Sequence, residues 1–297
     1  MEMIIGDILC LLPFLKPEDK EIFKIPVKTE NGWEIILYTV DRIEMTPSWM
    51  GSPLVAYCLR SDIDVAPPLI LFKGTTDPSD EGACLSILTD LNPFASVGSY
   101  AFFLGKEKIK VWLETFAPIT KAIIYGKSLG GALAWRSAIH FPEYISKVMA
   151  YGAPGFSPWE KDLIHKVTDE DPDLQILFFC QKNDLVPYSD LSADRGVHYY
   201  EILSSNDQEN PLIAHAVMAS IHENSEIFDL DFEVIGNPWK RAAVTIARLF
   251  ASVLFPFILI GHAFKTSIEH IYTHCLLLWV TFNPSSAEAS AIPKQAI

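Results

Sequence analysis

The segment that most constrains this chain is Ala122 to Ala134, AIIYGKSLGGALA. An apolar, β-branched run ends in Gly126-Lys127-Ser128-Leu129-Gly130, a G-x-S-x-G, and an Ala/Leu-rich run follows at once. A serine between a strand and a helix sits on a strained turn that holds its oxygen clear of the sheet. Glycines two residues to either side relieve the crowding such a turn creates. The helix behind the serine then points its unsatisfied N–H groups at developing negative charge. The plainer alternative is a glycine-rich turn that binds phosphate or joins two elements. A P-loop would need GxxxxGK[ST], which is absent.

Further apolar runs extend this pattern. Glu34–Val40, Leu54–Leu59, Leu69–Phe72, Ala122–Tyr125, Lys147–Tyr151, Leu174–Cys180 and Val197–Leu203 read as strands. Several are apolar without alternation, which suits strands covered on both faces. Lys106–Phe116, Leu129–Ile139 and Pro158–Val167 read as helices. Strands alternating with helices predict an α/β fold with a mostly parallel central sheet flanked by helices. At 297 residues the chain has room for one large domain plus an appendage. The expected division is an α/β domain over 1–235, a hydrophobic helical pair over 236–284, and a tail over 285–297.

A serine needs a base, and the base needs an acid to orient it. When the serine sits on such an elbow the acid and base follow it in that order. The run LQILFFC leads into Gln181-Lys182-Asn183-Asp184-Leu185-Val186-Pro187, so Asp184 is the candidate acid, with Asp190 and Asp194 as alternatives. Asp184 as an ordinary turn residue is the competing reading. Of the later histidines, His198 falls inside an expected strand with its ring toward a packed face, and His262, His270 and His274 belong to the hydrophobic tail. His215, in a loop opening a helix (NPLIAHAVMAS), is the candidate base. His222 is its alternative. Oxyanion donors are expected from the backbone N–H of Leu129 and from Thr75, which follows LILF-Lys73-Gly74; a plain strand-end turn is the alternative there.

Composition excludes other classes. Acidic residues number 37 against 23 basic, a net charge of −14, which repels nucleic acid. Cysteines at 10, 58, 84, 180 and 275 show no metal-ligand spacing, and no metal or organic cofactor is expected. Their scatter fits reduced thiols. Met3 to Leu15 is apolar but follows Glu2 and contains Asp7, unlike a secretory signal; it reads as a buried or interfacial first helix.

The charge is uneven. From Gly236 onward five basic residues face two acidic ones, net +3, which leaves −17 on the first 235 residues. The sixteen residues Leu249 to Phe264 would span about 24 Å as a helix, short of the ~30 Å bilayer core. Residues 239–282, with Trp239, Lys240, Arg241 and Trp279, could instead lie in a membrane interface. A helical pair packed on the domain is the alternative. The expected location is the cytoplasm or the periphery of a membrane.

Several segments together resemble one family. LILFKGTT is similar to the oxyanion segment of class 3 (fungal-type) lipases, AIIYGKSLGGALA to their GHSLGGALA elbow, MAYGAPGFSP to their FGxPRxG strand end, and QKNDLVP to their D-x-V-P acid turn. The match runs over about residues 65–220. Lys127 stands where the family has histidine, Lys73 where it has arginine, and Gly98-Ser99 where it has His-x-Gly. The resemblance implies an α/β-hydrolase fold and hydrolysis of a carboxylic ester, with lipid the expected substrate class. A competing expectation is an inactive hydrolase fold that serves as a membrane-tethered interaction module.

Overall fold

The computed structural model describes residues 1–29, 32–47, 53–63, 66–75, 96–189, 193, 195–203, 215, 226–229, 239, 242 and 246. Among them one sheet of nine strands runs in chain order: β1 (Ile22–Thr29), β2 (Gly32–Glu44), β3 (Val55–Arg60), β4 (Leu69–Phe72), β5 (Ala122–Lys127), β6 (Ile145–Tyr151), β7 (Gln175–Gln181), β8 (His198–Leu203) and β9 (Glu226–Asp229). The helices are α1 (Glu2–Leu9), α2 (Ser99–Phe116), α3 (Leu129–His140) and α4 (Pro158–Glu170).

The expected mostly parallel sheet is a mixed one. Strands β4 to β8 pair in parallel. Strands β1 to β4, and β8 with β9, pair antiparallel. The connections from β1 through β4 are too short for the crossover a parallel pair needs, whereas α2, α3 and α4 supply such crossovers further on. This arrangement of sheet and helices is compatible with an α/β-hydrolase.

The order of the strands explains where the helices lie. Successive parallel strands advance in one direction, and right-handed crossovers then place every crossover helix on one face. Phe102, Ile109 and Leu113 of α2, Leu133 and Trp135 of α3, and Ile164 of α4 share one core with Ile70, Ile124, Val148 and Ile176 of the sheet. The opposite face carries a second core of Leu71, Tyr125, Met149, Tyr151 and Phe179, covered by Leu9 and Cys10 at the end of α1. Helices therefore do not flank the two faces equally, as the alternation of elements alone predicts. Neighbouring residues such as Val148 and Met149 enter different cores, which is why these strands read as unbroken apolar runs.

The N-terminal segment is a helix as expected. Glu2 pairs with Lys147 at 2.6 Å, and the Tyr151 hydroxyl donates to the Met3 carbonyl at 2.8 Å. One compact unit spans Met1–Val253 and a second spans Leu254–Ile297. The expected boundary at 235/236, nearly all of the hydrophobic helical pair, and the 285–297 tail lie outside the described residues. Among the described residues no helix is long and apolar enough to cross a membrane.

Candidate active site

All five parallel strands end on one edge, and the elbow stands at the end of β5. Ser128 adopts φ 53° and ψ −123°, a conformation that costs a non-glycine residue on the order of 1–3 kcal/mol. Its N–H donates to the Tyr151 carbonyl at 2.8 Å, which pins the turn to β6. The flanking glycines answer to close approach. A Cβ on Gly126 would lie 2.2 Å from the Gly130 carbonyl oxygen, and a Cβ on Gly130 would lie 2.2 Å from that of Phe72.

Asp184 sits in the turn after β7, 2% exposed. Its N–H donates to the Gln181 carbonyl at 3.0 Å, and its Oδ1 accepts the Val186 N–H at 2.9 Å. His215 approaches from a helical position after β8. Its Nδ1 lies 2.9 Å from Asp184 Oδ2 and 3.0 Å from Oδ1, while its Nε2 lies 2.8 Å from Ser128 Oγ. A carboxylate only accepts, so the neutral ring carries its proton on Nδ1 and presents Nε2 as acceptor to the serine hydroxyl. Three residues from three elements, 87 and 31 positions apart in the chain, thus form one hydrogen-bonded series.

Leu129 opens α3 immediately behind the serine, where helical N–H groups lack intrahelical partners. Thr75 follows Gly74, and a Cβ on Gly74 would lie 3.5 Å from Ser128 Cβ, so this segment borders the elbow. Beside Gly74 a recess is walled by Met45, Leu54, Tyr57 and Leu133, with Lys16 and Lys73 also lining it. His222, Asp190 and Asp194 lie outside the described residues. Among the described residues no cluster of His, Cys, Asp and Glu could hold a metal ion.

One sequence expectation is corrected: His198 does not face a packed interior; it opens β8 and is exposed. Lys127, which stands where the lipase family has histidine, is buried at 6% exposure. It is the last residue of β5, paired with Tyr151 of β6, and it lies near residues of the second core.

Three further residues shape the site. Gly152 ends β6 at φ +56°, and a Cβ there would lie 2.7 Å from Asp184 Oδ2 and 3.3 Å from His215 Nδ1. Only glycine leaves that space in that conformation. Behind the elbow helix, Arg136 of α3 and Glu160 of α4 form a buried ion pair at 2.8 Å. Arg136 also donates to the carbonyls of Val97 and Ala132 and to Ser96 Oγ. Glu160 accepts from Ser157 N–H at 2.8 Å, the reciprocal half of a capping box that starts α4. The sequence carried a signal for the cap, since Ser157-Pro-Trp-Glu160 has the S-x-x-E form. Arg136, mid-helix in an Ala/Leu run, carried none.

A scan against protein-family models finds no match, and a search of curated proteins finds no significant one. Among solved structures, a crystal structure of a thermostable esterase matches at 13% identity with a TM-score of 0.33. The match covers 76% of this chain and 63% of the esterase, so the chain spans less than two thirds of that protein's length.

Proposed function

We propose that the chain is a serine carboxylic-ester hydrolase of the α/β-hydrolase type, similar to class 3 lipases, with Ser128, His215 and Asp184 as its triad. The observation that carries the reading is the unbroken series Asp184–His215–Ser128 ending at a strained elbow. Such a series polarises one hydroxyl and has no structural need for three buried or half-buried polar groups in line.

In this reading Ser128 Oγ attacks the ester carbonyl as His215 Nε2 takes its proton. Asp184, acceptor-only and buried, holds the ring by its Nδ1–H and stabilises the imidazolium that forms. The oxyanion is received by the N–H of Leu129 and by Thr75. His215 returns its proton to the leaving alcohol, and water then releases the acyl group by the same steps. An interfacial role of residues 239–282 belongs to the same proposal. Trp239 and Ile246 are 83% and 55% exposed.

The experiment is hydrolysis of p-nitrophenyl esters of graded chain length by the full chain, by Ser128→Ala and by His215→Ala. Both variants should lose on the order of 10⁴-fold in turnover, since triad members act as a unit. Loss confined to His222→Ala would move the base, and activity retained in Ser128→Ala would sink the reading.

A further inference from the structure

The hairpin of β1 and β2 is a ribbon with one face packed and one face open. β2 pairs with β3 only through Thr39–Glu44, so residues 32–38 are bonded to β1 alone and run on past Arg60, where β3 ends. A two-stranded ribbon persists only if a face of it is buried. Ile25, Val27, Ile36 and Tyr38 supply that burial within the second core, and the Tyr38 hydroxyl donates to the Pro67 carbonyl at 2.9 Å.

The other face is continuous with Asp41, which accepts from Trp112 of α2, but beyond Thr39 it lies open. Trp33, Ile35 and Leu37 stand along it at every second position, 43%, 74% and 54% exposed. Lys28, Pro26 and Lys24 of β1 stand opposite them in register and are exposed as well. A strand that is apolar on both sides is normally covered on both. Among its described residues from Ile22 to Thr39 this face carries two lysines and no acid, within 235 residues whose net charge is −17. Arg60 lies near the start of β4, whereas Ser128 follows the end of β5, so the ribbon projects from the sheet edge opposite the elbow.

Size and charge decide what can cover such a face. Eight residues at about 3.3 Å each, across two strands about 4.8 Å apart, give a footprint of roughly 250 Å². A stable protein interface takes about 800 Å² per partner. Two copies placed face to face would also set lysines against lysines with no acid between them. Pro26 and the lysines discourage an added strand at the β1 edge. A lipid surface has no minimum area: apolar tips enter it one by one, tryptophan suits its boundary, and lysine stems reach its headgroups.

We propose that this open face is a docking surface for an anionic lipid bilayer, with Trp33, Ile35 and Leu37 entering the headgroup–acyl boundary and Lys24 and Lys28 lying among the headgroups. The acidic remainder of the surface is repelled, but that repulsion is screened beyond about 8 Å at physiological salt, so the ribbon sets which side approaches. By itself so small a face gives reversible attachment, and it adds to the interfacial contact proposed for residues 239–282. It does not rest on the triad reading.

The test floats the full chain with vesicles of phosphatidylcholine and phosphatidylserine, and with vesicles of phosphatidylcholine alone. Ile35→Ser/Leu37→Ser should lower the partition coefficient at least tenfold on either vesicle. Lys24→Gln/Lys28→Gln should lower it about fivefold per lysine on the anionic vesicles at low salt and leave the neutral ones unchanged. Brominated phosphatidylcholine in the anionic vesicles should quench a component of the tryptophan emission that is missing in Trp33→Phe. A parent that does not float, variants that float as well as the parent, or quenching identical in Trp33→Phe would each overturn the proposal. So would a parent dimer that Ile35→Ser/Leu37→Ser converts to monomer in sedimentation velocity, which would assign the face to a second copy.

Discussion

Replacing Arg136 by methionine tests how the elbow helix is held. The side chains of Arg136 and Glu160 are 2% and 1% exposed, and they meet at 2.8 Å. Methionine fills much of the arginine volume but leaves Glu160, among the described residues, with Ser96, Ser157 Oγ and the Ser157 N–H as partners. A buried carboxylate stripped of its cation costs about 3–5 kcal/mol. The Arg136 bonds to Val97, Ala132 and Ser96 vanish in the same step, and their loss is contained in that figure rather than added to it. In a unit of this size each kcal/mol lowers Tm by about 2–4 °C, so the variant should melt roughly 6–20 °C below the parent. Differential scanning calorimetry of the full chain reads this directly. The cation–π contact of Arg136 with Trp135 at 4.2 Å is also lost, and near-ultraviolet circular dichroism should report it. A melting point within about 3 °C of the parent, corresponding to about 1 kcal/mol, would refute the view that this pair ties α3 to α4.

Other outcomes follow from the same geometry. Gly152→Ala should fold but lose on the order of 10²-fold in ester hydrolysis, because the added methyl displaces Asp184 and His215 from a φ of +56°; activity within threefold would show that the space is not needed. Asp41 joins β2 to α2 through its bond from Trp112 Nε1 at 3.0 Å and to β3 through Arg60 at 3.2 Å. Burial pushes its carboxyl up, but the hydrogen bonds from Lys20 and Trp112 outweigh burial and hold it below the usual range. A carboxyl lowered in the folded state contributes stability above its unfolded pKa of about 3.9 and loses it as pH falls through the folded value. Asp41→Asn should therefore cost about 1–2 kcal/mol at pH 7, and urea titrations should find that the difference shrinks below about pH 4. Deleting residues 237–297 should release the protein from anionic vesicles, with high salt weakening the intact chain only partly because the apolar share is not screened. Intact chain that ignores vesicles would end the interfacial proposal.

The parts of the fold that the sequence made legible are those whose physics is local. Strand β4 was read with the same bounds because an apolar run between two prolines and a glycine has few other uses. The elbow was read because strand, glycine-flanked serine and helix follow one another directly in the chain, although the contact that demands Gly130 comes from Phe72 of β4. Strand β1 was not, since Pro26 and its lysines look unlike a strand; it lies at the sheet edge, where a missing N–H is tolerated. Strand β9 has only four residues and the same edge position on the other side. The face chosen by the helices depends on strand order, a property of the whole sheet that periodicity does not carry. In the site, Ser128 and Asp184 were marked by their turns, whereas His215 was marked only by its place after β8. The interior position of Lys127 was the least legible. A lysine beside a reactive serine reads as solvated, because its burial is made by elements brought together from distant parts of the chain.

The central claim is that Ser128 is the activated nucleophile, and active-site labelling reads it most directly. The intact protein should be treated with a fluorophosphonate, digested, and the modified peptide identified by mass spectrometry. The account predicts one adduct, on Ser128, lost in Ser128→Ala and at least about 10³-fold slower to form in His215→Ala. A chain that takes no label in detergent or on vesicles, or that labels equally well after Ser128→Ala, would contradict it.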